Sequence, residues 1–277
     1  MHLSMKRTHP ATVVKYTVLI LFALTTLYPF VWVLLSSLKT DHEVFANAFG
    51  LPKQWMFSNF QEAFTGAQVG VNFFNSLMYA TGCVVVVLLC ASMTSYALVR
   101  VVKTKRLYLF FTTGIMIPTH AVIIPLVIIL RNMGLINTRM GITLAYIVSN
   151  LSFSIFVLVG FMRTLPRDLE EAAMIDGCSR VRLFFSIILP ISKAGLATIG
   201  TFSFLNAWND LLLSLIITAS PALRTLNLGC YNLRAQYAQR YALISAGLVI
   251  LIIPAALMYI LFQEQVVKGM TAGAIKG

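Results

Sequence analysis

The chain has 277 residues, of which 58% are hydrophobic and 11% charged, whereas ordinary soluble domains carry about 25% charged residues. A soluble fold has too little interior to hide this much apolar sequence, so the implied solvent is lipid. The net charge of +12 would raise the question of nucleic acid in a soluble protein. No basic stripe with interleaved aromatics supports that reading, and the bases fall in short loops between apolar runs, where they act as topology signals.

Residues 1–13 read as a basic N-terminal tail. The apolar run behind them is too long for a secretion signal, and no small-x-small cleavage site follows it, so it reads as an uncleaved first span. Six segments approach or exceed the roughly 20 residues needed to cross hydrocarbon: Val14 to Leu35, Phe73 to Val99 (opened by Asn72 and Asn75), Leu107 to Leu130, Ile142 to Phe161, Ile191 to Ala219, and Tyr241 to Phe262. Barrel-type alternation is absent. The expected fold is all-α: one six-span membrane domain over 14–264, with tails at 1–13 and 265–277. The third span holds Pro118 and Pro125, each expected to kink it, which suits either a moving wall or a static bend.

With the N-terminus inside, 14 of the 21 Lys and Arg lie in inside segments, so both termini are expected in the cytoplasm. The long loop from Ser36 to Asn72 then lies outside and carries a short amphipathic piece, WMFSNFQEAF. Cys83, Cys90, Cys178 and Cys230 form no CxxC pair. Cys83 and Cys90 share a helix face and read as buried small hydrophobes.

The loop at 163–190, between the fourth and fifth spans, concentrates charge. Asp168 and Glu171 form a D-x-x-E capping-box pattern, predicting a short helix over Leu169 to Asp176 with Leu169, Ala172, Ala173 and Asp176 on one face. Gly177 supplies a left-handed terminator. Ser179 is placed to cap a second helix whose Val181, Phe184, Phe185 and Ile188 share a face, and Pro190 closes it. The result is two short helices joined by a glycine elbow. The small first face suits a groove on a separate soluble protein, and the aromatic second face suits packing on the bundle. The other reading is a loop that only completes the bundle.

Glu171-Ala172-Ala173, three residues, Gly177, nine residues, then Ile187-x-Leu189-Pro190 resembles the EAA loop of ABC-importer permeases. Asp176-Gly177, Phe184, NAWNDLLLSLI (206–216) and the closing VKGMTAGAIKG are similar to the carbohydrate-uptake branch, in particular the shorter partner of the maltose-type pair. The resemblance covers nearly the whole chain. One departure is Cys178, where the branch often has Ala. The resemblance implies a multi-pass protein of the bacterial plasma membrane whose Glu170, Glu171, Ala172, Ala173, Asp176, Gly177, Leu189 and Pro190 couple it to an ATPase. It implies as partners a second, longer permease chain, two ATPase subunits that bind ATP and Mg, an extracytoplasmic sugar-binding protein and membrane lipid, with no nucleic acid. The chain has no G-x-x-x-x-G-K-[ST] phosphate loop, no arguable catalytic set and no metal-ligand cluster, so it is expected to bind no cofactor and catalyse no reaction itself.

Asp210 is the only acid within the six spans, and a lone carboxylate there needs a partner or water. Asn206, Trp208, Asn209 and Asp210 offer the amide, carboxylate and aromatic groups that sugars bind, and His120 is a further polar candidate. A structural polar knot is the competing reading, and the longer partner is implied to hold most of the sugar site. Arg224, Arg234 and Arg240 in the last outer loop are candidates for binding-protein contact, or are simply solvated. A self-sufficient secondary carrier is the alternative function. It would need inverted repeats and intramembrane charges, and the sequence shows one acid and no obvious halves.

Overall fold

A computed structural model describes residues 10–102 and 104–274. The tail at 1–13 falls largely, and the end of the 265–277 tail partly, outside these residues. Every regular element among them is helical. Four helices are long and apolar enough to cross a membrane, or up to six if two bent pairs each count as one span.

The helices run in this order. α1 is Pro10–Ser37, α2 Asp41–Ala46, α3 Ser58–Gly66 and α4 Val69–Tyr96, which continues into a π-helical turn, Ala97–Val102. α5 is Lys105–Thr113, α6 Thr119–Asn132, α7 Arg139–Met162 and α8 Asp168–Ile175. α9 is Arg180–Leu183, which passes through a π-helical turn, Phe184–Ile188, into α10, Leu189–Ile191. α11 is Lys193–Asn209, α12 Leu212–Ile217, α13 Leu226–Gln236 and α14 Tyr241–Ala274. The predicted sixth span and the start of the predicted C-terminal tail thus form one helix.

The chain divides into two compact units. The smaller takes residues up to Ala67 with Asn232–Leu251. Its loop after α1 is tied down by a fully buried lysine: Lys39 Nζ donates to the Asn47 and Ala48 carbonyls at 2.6 and 3.3 Å. Asn59 Nδ2 on α3 donates to the Ser37 and Lys39 carbonyls, both at 2.9 Å. The predicted amphipathic piece is therefore helical in part and pinned to the end of α1. Asp41 accepts from the Ala242 amide at 2.9 Å at the start of α14.

The larger unit takes Gln68–Tyr231 and the chain from Ile252 onward. α4, α7 and α11 pack on one another in its centre. Ala91, Leu98, Val99, Ile155, Leu158, Met162 and Ile199 from these helices form a core with Leu183, Phe184 and Ile188. Close approach uses a missing side chain: a Cβ at Gly195 on α11 would lie 3.0 Å from the Phe161 ring on α7, as small residues allow between packed membrane helices. Cys83 sits in this interior, but Cys90 is exposed, against the expectation that both are buried. The buried stripe of α4 steps by fours through Cys83, Val87 and Ala91, each step advancing about 40° around the helix, while seven residues fall about 20° short of two turns, so the packed face has turned away from Cys90.

Three elements differ from their sequence-based expectation. The third span is broken rather than twice kinked: α5 and α6 meet at 102°. Pro118 has no N–H to give, and it pushes the preceding Ile117 to extended backbone, φ −88° and ψ 114°. Pro125 stays inside α6. The fifth span breaks at Asp210, which is extended between α11 and α12. The last long loop, for which no helix was predicted, contains α13, with Leu226, Leu228, Cys230 and Leu233 buried. Burial pushes the Cys230 thiol up to about 11.

Candidate functional site

Two places gather the polar residues singled out by the sequence. The first is the elbow. α8 begins at Asp168, one residue earlier than predicted, and no side chain caps it. Asp168 lies in its first turn instead, where a negative charge still favours the helix dipole. Gly177 has φ +78°, and its amide bonds to the Met174 carbonyl at 3.1 Å while the Cys178 amide reaches the Ala173 carbonyl at 3.0 Å. These two bonds make a Schellman ending. Ser179 Oγ then accepts from the Arg182 amide at 3.3 Å, capping α9 as expected.

Which faces point inward is only partly as expected. On α8 the buried residue is Glu170, with Ala173 half-buried against the core one turn on. Leu169, Glu171, Ala172, Met174, Ile175 and Asp176 are exposed, Ile175 at 86%. The outward face is therefore partly apolar, and it excludes Glu170. After Ser179 the core takes Leu183, Phe184 and Ile188, while Val181 and Phe185 remain outside. Phe184 and Ile188 are thus inward as expected, and Leu183 joins them in place of Val181 and Phe185, next to a π-helical turn that changes the helix period over Phe184–Ile188. Leu189 is half-buried and Pro190 exposed.

Glu170 has a partner. Arg100 Nε lies 2.5 Å from Glu170 Oε1, and both side chains are 8% exposed. Arg100 Nη2 also donates to the Leu165 and Met162 carbonyls at 2.9 and 3.3 Å. One guanidinium therefore joins the end of α4, the carbonyl end of α7 and the first turn of α8. A cation suits the α7 C-terminus, where carbonyls lack helix partners. One turn before Arg100, the Tyr96 ring packs on Phe184 with centroids 5.3 Å apart.

The second place is a cavity of about 400 Å³ lined from α6 by Thr119, His120 and Ile123, from α7 by Tyr146, Ser149 and Asn150, and from the α11–α12 break by Asn206, Asn209 and Asp210. Two bridges in matching register close one wall. Asn206 Nδ2 donates to Asn150 Oδ1 at 3.0 Å, and Tyr146 Oη donates to Asp210 Oδ2 at 3.0 Å. Asp210 also accepts from the Leu213 and Ser214 amides at 3.3 and 3.1 Å. The lone acid is thus satisfied by hydrogen bonds that start α12, as the polar-knot reading requires, and its carboxylate also borders the cavity. Trp208 does not. It is 2% exposed, between Phe73 and Phe204 with ring centroids at 5.6 and 5.5 Å. The structure places Trp208 outside this cavity, because position 208 on α11 faces α4.

Of the outer arginines, Arg234 is exposed and Arg224 half-buried. The Arg224 carbonyl, with that of Ala222, accepts from Asn75 Nδ2 at 3.0 and 2.9 Å. Ser76 Oγ accepts from the Leu226 amide at 2.8 Å. These polar residues opening α4 hold the chain that leads into α13. Arg240 is ion-paired within its own unit, with Glu62 and with Asp41, and these carboxylates favour its charged form. It is not a free cation.

Residues 88–271 match the family of binding-protein-dependent transport system inner membrane components. The chain is 33% identical over 267 residues to the diacetylchitobiose uptake system permease protein NgcG of Streptomyces coelicolor, covering 95% of this chain and 88% of the relative. It is 36% identical to the sulfoquinovosyl glycerol transport system permease protein SmoH of Agrobacterium fabrum, covering 91% and 89%. Among solved structures, a chain of a bacterial ABC transporter involved in the import of the acidic polysaccharide alginate superposes with a TM-score of 0.81 at 20% identity, over 94% of this chain and 99% of that one.

Proposed function

This chain belongs to the inner membrane components of binding-protein-dependent transport systems, and from that premise we propose that it is the permease subunit of an ATP-driven importer of an oligosaccharide or glycoside. The coarse part of the reading, a multi-pass, non-catalytic ABC permease of the carbohydrate-uptake branch, follows from the family and its sugar-transporting relatives. The finer part concerns this chain's own residues. It counts six spans, with the α5–α6 and α11–α12 breaks inside the third and fifth, and places both termini and the elbow in the cytoplasm. It pairs the chain with a second, longer permease, with two subunits that bind ATP and Mg, and with an outer sugar-binding protein.

One observation carries the coupling claim: α8 hangs from the core by Glu170 and Ala173 and presents Glu171, Ala172, Met174 and Ile175 outward before a glycine-ended turn. That face fits a groove on an ATPase subunit. Closure of the ATPase pair on ATP then moves α8, and the bundle shifts between inward-open and outward-open states. Energy enters only through contacts that differ between the two states. Along the pathway the hydroxyls of Thr119 and Ser149, the imidazole of His120 and the amides of Asn206 and Asn209 offer donors and acceptors to sugar hydroxyls. Arg224 and Arg234 are the outer cations left for the binding protein.

The test is co-purification. With the ATPase subunit and second permease expressed together, a tag on this chain is expected to bring down both. Recovery of this chain alone, stable and able to carry sugar, would remove the reading.

A further inference from the structure

We infer that Arg100 and Glu170 are a positioning pair: they make α8 rigid with the end of α4, so that the second span is the lever through which ATPase closure reaches the translocation pathway. This rests on the proposed role of α8. Three contacts of one side chain carry it. The Arg100 fork reaches Glu170 on α8, the carbonyl of Met162, which ends α7, and the carbonyl of Leu165 just beyond it, a geometry that a lysine's single ammonium cannot reproduce. Both charges are almost wholly buried, and Glu170 points away from the exposed face of α8, so the pair acts behind the docking surface rather than on it. The other half of the elbow is held to the same helix end, because Tyr96 lies on Phe184. Both short helices are therefore clamped to one turn of α4, whose opposite end carries Asn75 and Ser76, bonded to the chain leading into α13.

Adjacent acids thus divide the work. Glu171 faces outward and is free to meet a partner, while Glu170 faces inward and anchors. Without the anchor, α8 still presents its outer face and still docks, but its displacement is taken up locally instead of moving α4.

The experiment uses the complete transporter, with both permeases, ATPase subunits and binding protein, in proteoliposomes containing ATP. Arg100→Lys and Glu170→Gln are compared with the parent for ATPase co-purification, ATP hydrolysis and uptake of the sugar that the parent imports. The expected result is unchanged co-purification with uptake per ATP lowered about fivefold or more, the lower end of ordinary coupling effects. The double variant should be no worse than the worse single one, since the two act as a unit. Amide hydrogen exchange across 170–177 should rise in both single variants, a readout independent of transport. Uptake per ATP within about twofold of the parent, smaller than typical coupling effects, would overturn the inference, as would unchanged exchange. Loss of ATPase co-purification in Glu170→Gln would also overturn it, by placing Glu170 in the docking face. A parent complex that imports no sugar removes the proposed function instead, whereas an active parent with equally coupled variants removes this inference alone.

Discussion

The elbow at 168–191 and the cavity beside His120 each satisfy a carboxylate, by opposite means. Glu170 is neutralised by a guanidinium that also grips another helix end. Among the described residues Asp210 has no such cation. Its oxygens accept from two backbone amides and a tyrosine hydroxyl of its own bundle. The difference matches the roles proposed for the two regions. A buried ion pair is costly to leave half-made, which suits a joint that must not slip. A network of neutral donors is open to exchange with the hydroxyls of an uncharged polyol, which suits a surface along which a sugar passes.

The sharpest way to break the comparison is at the elbow's turn. Gly177→Pro demands φ near −65° where the chain has +78° and removes the amide that bonds to Met174, at a cost of about 3 kcal/mol or more. Uptake should be abolished with the protein still inserted. Gly177→Asn should retain uptake, since asparagine tolerates left-handed backbone and nothing lies within 4 Å of a Cβ there. Next in size is Arg100→Met, which leaves Glu170 buried without its cation and should destabilise the purified complex by about 3–5 kcal/mol, read as a lower Tm. Adding Glu170→Met should recover much of that stability without recovering coupling.

In the cavity the effects should be smaller. Asp210→Ala removes the acceptor for two α12 amides, a loss comparable to removing a helix cap at about 0.5–2 kcal/mol. It should raise the KM for sugar uptake while leaving uptake per ATP unchanged. Smallest of all is Trp208→Phe. It can keep the aromatic packing on Phe73 and Phe204 and discards an indole N–H that has no acceptor among the described residues. Sugar KM should not change. A large rise would return Trp208 to the pathway.

What could be read in advance followed how local the cause was. Gly177 and Ser179 announce a turn and a cap through bonds that span five residues or fewer, so the elbow was legible. The inward stripe of its second helix was misplaced in part, because a π-helical turn changes the period and hydrophobic spacing alone does not mark such a turn. Pro118 was legible as a perturbation but not as a 102° break, since proline is tolerated within apolar helices elsewhere in this chain, at Pro29 and Pro254. Asn206, Asn209 and Asp210, grouped by their chemistry, line one cavity. Trp208 was misgrouped because its composition suited a sugar site while its position faced α4. The pairing of Arg100 with Glu170 joins segments remote in sequence. Its only local trace was that Glu170 and Ala173, one turn apart, form the inward stripe of α8.

The most direct test of the whole account is uphill accumulation of the sugar substrate in vesicles. This chain reconstituted alone should concentrate nothing, with or without ATP. The same vesicles containing the second permease, the ATPase subunits, the binding protein and ATP should accumulate sugar against its gradient. Accumulation by the isolated chain, driven by an ion gradient and indifferent to ATP, would contradict the claim that it is moved by an engine on another polypeptide.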